Sequence, residues 1–204
     1  MQIIKPSYEI IDHLDPEAIY AKIERSGRVC YKSEDKICEG SGEKFVAAII
    51  KRGHESVIEH VAFSVKFIVD RGVTHELVRH RLASFSQEST RYVNYKGGNM
   101  QFIEPCFLEK NPEAKGTWLK AMADAETHYN TLIAQGWKAE EARAVLPNSI
   151  KTEIFVSANL REWRHILKLR SHKSAHPQIR EVMTPLAQEL AVLLPVIFDG
   201  ITDV

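Results

Sequence analysis

The chain has 204 residues, 44% of them hydrophobic and 26% charged, and its 27 Lys plus Arg balance 27 Asp plus Glu. That is an ordinary globular composition, long enough to bury the core of one substantial domain. Zero net charge argues against a protein that binds nucleic acid through a global positive field, so any anion site has to be local.

Asp15-Pro16-Glu17 supplies an N-cap, a proline at the first helical position and an early acid, which predicts a helix from there toward Val29. Phe45, Val46, Ile49 and Ile50 share one face of a second helix over Glu43 to Arg52, and Gly53 stops it. Phe63, Val65, Phe67 and Val69 alternate with Ser64 and Lys66, a strand pattern that Arg71-Gly72 is expected to break. Val73 to Arg81 fits a short helix, Ser84 to Arg91 is polar enough for a loop or ligand wall, and Gly97-Gly98 marks a loop. Glu113 to Gln135 reads as a long amphipathic helix stopped by Gly136, and Lys138 to Val145 as a shorter one ending before Pro147. Thr152 to Ser157 suits a strand, and Arg161 to Arg170 and Ile179 to Leu194 suit helices. The sum is α+β, helix-rich, with one domain over residues 1–204.

Cys30, Cys38 and Cys106 stand far apart without a CxxC spacing, which predicts no disulfide framework and no metal site, and suits a reducing cytoplasm. Met1 to Ile11 mixes Pro, Ser and Glu with apolar residues, so no signal peptide is expected. The apolar stretch Leu190 to Phe198 is too short to cross a membrane and contains Pro195. Charge is uneven along the chain: residues 138–180 carry nine Lys or Arg against four acids, and residues 181–204 carry four acids and no base.

The densest polar cluster is Arg79-His80-Arg81, followed after seven residues by Ser89-Thr90-Arg91. Guanidinium forks and a hydroxyl suit a phosphate monoester or a pyrophosphate, while the bland alternative is a solvated, salt-bridged helix end. Ser89 has no base at a spacing that guarantees activation, so hydrogen bonding is favoured over nucleophilic attack. Among nine histidines only His172 and His176 stand at i, i+4, and Pro177 disfavours a rigid metal-binding pair. Trp118, Trp137 and Trp163 read as structural residues, and Arg143 has an ordinary alternative as a partner of Glu140.

Arg-His-Arg, seven residues, Ser, any residue, Arg resembles the signature of the flavin-dependent thymidylate synthases. Three further stretches resemble elements of the same family: Arg52-Gly53-His54-Glu55-Ser56-Val57-Ile58-Glu59-His60, Glu141 to Pro147, and Asn159-Leu160-Arg161 with Leu169-Arg170. The resemblance implies a small, mainly antiparallel sheet and a homotetramer with sites shared between subunits. It also implies FAD as cofactor, and dUMP methylation to dTMP with methylenetetrahydrofolate and NADPH as co-substrates. Carried over residue by residue, it implies that Ser56, Arg79, His80, Arg81, Gln87, Asn159, Leu160, Arg161 and His165 bind FAD, and that His54 lies in the folate and flavin region. It places Glu76, Leu77, Val78, Arg79, Gln87, Glu88, Ser89, Thr90, Arg91, Arg143 and Arg170 at dUMP, with Arg170 as the catalytic residue. Neither a nucleic acid nor a membrane partner is implied.

No GxGxxG is present, so FAD is not expected in a Rossmann fold, and no cysteine lies in a polar motif that would suit a thiol nucleophile. The chain departs from the family pattern at Gln87, where Glu is common, at Glu76, where Gln is common, at His165, where Asn is common, and over Ser174 to Arg180. Two rivals stand beside this reading: a nucleotide-binding protein without turnover, and a metal-dependent phosphohydrolase built on histidine pairs.

Overall fold

The structure is a computed structural model that describes residues 1–97 and 100–201. In chain order its principal elements are β1 (Gln2–Ile4), β2 (Ser7–Ile10), α1 (Pro16–Arg28), α2 (Ser41–Lys51), a 3-10 segment (Glu55–His60), β3 (Ala62–Asp70), α3 (Arg71–Leu77), β4 (Ser84–Gln87) and β5 (Gln101–Ile103), then α4 (Pro112–Ala134), α5 (Ala139–Ala142), β6 (Lys151–Asn159), α6 (Leu160–Ser171), α7 (Pro177–Leu193) and α8 (Pro195–Phe198). The fold is α+β and helix-rich, with a four-stranded sheet in the order β2-β3-β6-β4. β1 and β5 form a separate parallel pair, Gln2 opposite Gln101. No helix among the described residues is long and apolar enough to cross a membrane.

The chain forms two compact units. The first comprises Met1–Tyr8, Lys66–Arg79 and Phe85–Phe155. Its core gathers Tyr95, Met100, Phe102, Met122, Tyr129, Ala142 and Ile150, and Trp118 packs against it while donating its indole N–H to Ser149 Oγ at 3.1 Å. The second comprises Glu9–Val65, His80–Ser84 and Val156–Val204. There α1 packs on α2 and α6 on α7. Gly42 makes the first contact close, since a Cβ at that position would lie 2.9 Å from the backbone of Tyr20. Trp163 of α6 is fully buried, stacks on Phe63 at 5.1 Å between centroids and donates to the Phe63 carbonyl at 3.0 Å. Trp163 and Trp118 pack as structural residues, and Trp137 is 51% exposed.

The strong local signals produced their elements. Asp15 Oδ1 accepts from the backbone N–H groups of Glu17 and Ala18 at 3.0 and 3.3 Å, and α1 starts at Pro16. Gly53 sits at φ 72° and ends α2, and Gly136 at φ 94° follows α4.

Three boundaries differ from expectation. Arg71-Gly72 opens a helix instead of merely breaking β3, because the buried Asp70 carboxylate accepts from Val73 N–H at 3.0 Å and caps α3. A Cβ on Gly72 would meet Asp70 Oδ1 at 2.8 Å, so glycine leaves room for the cap. The same helix ends at Leu77, four residues before the predicted Arg81, in a turn where Arg79 N–H bonds Glu76 C=O at 3.3 Å. The polar stretch from Ser84 begins as β4 and only then becomes loop, Glu88 N–H bonding Glu153 C=O at 2.8 Å. Of the predicted Gly97-Gly98 loop, Gly97 takes φ 90° and Gly98 lies outside the described residues.

Candidate active site

In the second unit, β6 hands over directly to α6. Asn159 Oδ1 accepts from Glu162 N–H at 2.9 Å, capping the helix, while Leu160 N–H bonds Val61 C=O at 2.9 Å. Leu160 is fully buried. Beyond the cap, α6 brings Glu162, His165 and Arg170 to His80. Arg170 Nε donates to His80 Nε2 at 3.0 Å, His80 Nδ1 lies 3.5 Å from Glu162 Oε1, and the His165 ring meets the His80 ring edge-on at 5.6 Å.

His80 is 5% exposed and Glu162 is 7% exposed. Burial, then the nearby Arg170 charge, then His165 push the His80 imidazole down to about 4, so the ring is neutral at pH 7. Burial moves the Glu162 carboxyl the other way, above its usual range. Because α3 has already ended, His80 is not tied to a helix face 100° from its arginine neighbours and can turn inward while Arg81 stays exposed.

Beside this cluster lies a groove of about 680 Å³ whose walls include Asn159, Arg161, Arg164, His165 and Lys168 with Glu55 and Glu59. Arg161 Nη1 pairs with Glu59 at 2.5 Å and its Nε lies 3.9 Å from Glu55, and Arg164 reaches Glu55 at 3.3 Å. Both glutamates come from the 3-10 segment after His54, which is exposed, as is Ser56. Three cations and an amide on one wall suit a dinucleotide pyrophosphate, although Arg161 must exchange part of its pairing with Glu59 to engage one.

The first unit holds the nucleotide-type residues in a different way. Gln87 Nε2 donates to Thr74 Oγ1 at 3.0 Å and to Thr152 Oγ1 at 3.2 Å. Thr74 Oγ1 itself donates to Arg71 C=O at 3.0 Å, so it has to accept from Gln87. A carboxylate at position 87 has no proton to give that hydroxyl, which supplies a local reason for Gln in place of Glu. Glu88 accepts from Tyr95 O–H at 2.8 Å and from Lys151 Nζ at 3.1 Å, and Lys151 and Lys66 each reach Glu153 at 2.6 Å.

Thr90 is buried and its Oγ1 accepts from Arg143 Nη1 at 3.3 Å; Glu140, the alternative partner of Arg143, lies instead 3.9 Å from Arg91 Nε. Ser89 Oγ accepts from Arg91 N–H at 3.3 Å, tightening the turn. Of the α3 positions Leu77 is fully buried and Glu76 partly so, whereas Val78 and Arg79 in the following turn are exposed.

Sequence reasoning missed Glu162, Lys151, Tyr95 and Asp70. Glu162 looks like an acid in a first helical turn, a surface feature, and only its i+4 relation to buried Ile166 hints that it faces inward. Asp70 stands three residues before Val73, a cap spacing hidden by the strand signal before it.

Residues 9–196 match the sequence profile of the thymidylate synthase complementing proteins. The chain belongs to this family. A flavin-dependent thymidylate synthase of Pyrococcus furiosus is 38% identical over 163 residues, 78% of this chain and 67% of that one. Another, of Geobacter sulfurreducens, is 34% identical over 191 residues, 90% of this chain and 81% of that one. Among solved structures, a UMP/dUMP methylase, PolB from Streptomyces cacaoi bound with 5-Br dUMP, superposes with a TM-score of 0.84 at 24% identity, covering 100% of this chain and 97% of that one; at that identity it speaks for the fold. In this member of the family the Arg-His-Arg string consists of a buried His80 between the exposed Arg79 and Arg81.

Proposed function

We propose that this chain is an enzyme that reductively methylates dUMP to dTMP, with methylenetetrahydrofolate as carbon donor and FAD, reduced by NADPH, as hydride carrier. Membership of the family and relatives named flavin-dependent thymidylate synthase support this reading. The observation that carries it is the 3.0 Å hydrogen bond between Arg170 and His80, which joins two separate signature elements 90 residues apart.

Arg170 faces the pyrimidine in this reading. Its guanidinium donates to O2, polarising the ring, and stabilises negative charge as it develops over N3 and O2, and a half-buried, pre-aimed cation serves that charge better than a solvated one. Arg79, Arg91 and Arg143 offer planar forks to the nucleotide phosphate, with Gln87, Glu88, Ser89 and Thr90 on the same polar segment and Glu76 toward the ribose or base, followed in the chain by Leu77 and Val78. Asn159, Arg161, His165 and Lys168, with Ser56, Arg79, His80, Arg81 and Gln87, would hold FAD, and His54 would lie toward the folate. When bound, FAD supplies the hydride that reduces the transferred one-carbon unit.

The working form is a homotetramer of single-domain chains with sites shared between subunits, and its compartment is the cytoplasm, where the three free thiols stay reduced. An absorbance spectrum of the purified protein, followed by anaerobic NADPH with and without dUMP, tests the proposal. Flavin bands bleached by NADPH, with dTMP formed once methylenetetrahydrofolate is added, are expected. A colourless protein that takes up no added FAD overturns it.

A further inference from the structure

The His80 cluster has a direction. Arg170 Nε carries a hydrogen and no lone pair, so at 3.0 Å His80 Nε2 must be the acceptor. A neutral imidazole that accepts at Nε2 carries its proton on Nδ1, and the group facing Nδ1 is Glu162 Oε1 at 3.5 Å, the outer edge of hydrogen-bonding range. The other tautomer sets an N–H against the guanidinium N–H and leaves a lone pair facing a carboxylate. All three groups come from the second unit, and His80 and Glu162 are both buried, so bulk water is a poor competitor for either contact.

Glu162 and Arg170 sit at opposite ends of α6, eight residues and about 12 Å of helix rise apart. His80 bridges that distance. A carboxylate in the first turn of α6 therefore reaches the arginine in its last turn through one ring whose two nitrogens play different parts.

We infer that Glu162 is a positioning residue of this active site: it holds His80 in the Nδ1-protonated tautomer, so that the Nε2 lone pair aims the Arg170 guanidinium. The inference rests on the reading that Arg170 serves the pyrimidine. Glu162 also borders the groove assigned to FAD, and the effect inferred for it here is the one exerted through His80, which the tautomer of the ring reports. His80 accordingly does more than contact a flavin, because its ring orientation fixes the arginine.

The test combines imidazole ¹⁵N NMR of the purified protein with steady-state kinetics. A His80→Asn variant identifies the His80 signals. In wild type these report a neutral ring protonated on Nδ1. In Glu162→Leu the tautomers mix and kcat falls about ten- to a hundredfold, while KM for dUMP stays within about threefold. Glu162→Gln, whose side-chain carbonyl still accepts from Nδ1–H, recovers most of the kcat and the wild-type tautomer. Glu162→Met, close to Glu in volume, is the second truncation and replaces Leu if Leu does not fold.

Wild-type His80 protonated on Nε2 overturns the inference, as does a truncated variant with unchanged tautomer and turnover. Equal losses in the Gln and truncated variants overturn it too, since a purely steric role predicts them. Wild type that forms no dTMP while His80 behaves as described counts against the methylation reading instead, which keeps the two failures distinct.

Discussion

Tyr95, Glu88, Lys151, Glu153 and Lys66 form a chain in the first unit in which every donor meets an acceptor and every charge an opposite charge. Burial alone would lower the Lys151 ammonium, yet hydrogen bonds to Glu153 and Glu88 outweigh it and hold the group above its usual value. Lys151 and Lys66 draw the Glu153 carboxyl below its own. Around His80 in the second unit the bookkeeping runs the other way. A cation faces a ring that must stay neutral, and a buried carboxylate has its affinity for protons raised. Polar clusters with displaced proton affinities concentrate where chemistry happens, and charge-compensated ones hold a fold together. The contrast points to His80, Glu162 and Arg170 as the working cluster and to the Lys151 chain as scaffold.

The largest effect expected from breaking the contrast is on Arg170. Arg170→Ala should lower kcat/KM for dUMP about a hundred- to a thousandfold while the thermal unfolding transition stays cooperative. Near-normal turnover in that variant, measured by dTMP formation, would remove Arg170 from the mechanism. Lys151→Met, by comparison, should act mainly on stability, and a reversal of these two patterns would mean that the assignment of working cluster and scaffold is inverted.

Acid should separate the clusters next. His80 has a folded value near 4 against 6.5 for the ordinary ring, so between those values the unfolded chain binds more protons and stability falls as pH falls. The expected loss is roughly 2–3 kcal/mol over that window, complete once both states are protonated. Three neighbours face the ring from α6: Arg170 and His165 both oppose its protonation, and Glu162 Oε1 lies 3.5 Å from Nδ1. Raised above its usual range, Glu162 binds its proton more readily in the folded state, and it adds stability as pH falls through its folded value. Urea unfolding of wild type and His80→Asn at pH 7, 6, 5 and 4 isolates the histidine contribution; parallel curves would show that the ring is not the acid-sensitive group.

The sequence made one of these clusters more legible than the other. Arg-His-Arg and Leu-Arg stand out as strings, so His80 and Arg170 were visible as a pair of motifs, but nothing local says that one donates to the other across 90 residues. The apparent helix through His80 came from Val73, Leu77 and His80 at helical spacing. His80 is buried by α6 instead, after a turn has already ended α3. Tertiary burial can counterfeit a helical period, since periodicity records only which residues point inward. β1, β2 and β5 are three or four residues each, too short to carry an alternation signal. Asp15 and Gly53 were legible because caps and stops depend on neighbours in sequence. Glu153 falls within the predicted strand Thr152 to Ser157, and Lys151 falls one residue before it. Their service to Glu88, over 60 residues away, is set by strand placement that no window of sequence contains.

The smallest effect sharpens the comparison from the scaffold side. Lys151→Met removes the cation shared by Glu88 and Glu153 and should cost about 1–3 kcal/mol at pH 7, the range for leaving buried polar partners unpaired. Lys151 and Glu88 are each 14% exposed, but Glu153 is 36% exposed and screened by solvent, so the lower half of that range is expected. The Glu153 contribution is present above the ordinary carboxylate value and is lost as pH falls through its depressed folded value. The stability difference between wild type and Lys151→Met should therefore hold steady from pH 7 to about 5 and shrink only below the ordinary carboxylate range. The His80 contribution, in contrast, is already falling above pH 5. Guanidinium would screen these ion pairs, so urea titrations are the appropriate measurement. If the Lys151→Met difference instead shrank between pH 6.5 and 5, the two clusters would share a titrating group, and the division into working site and scaffold would fail.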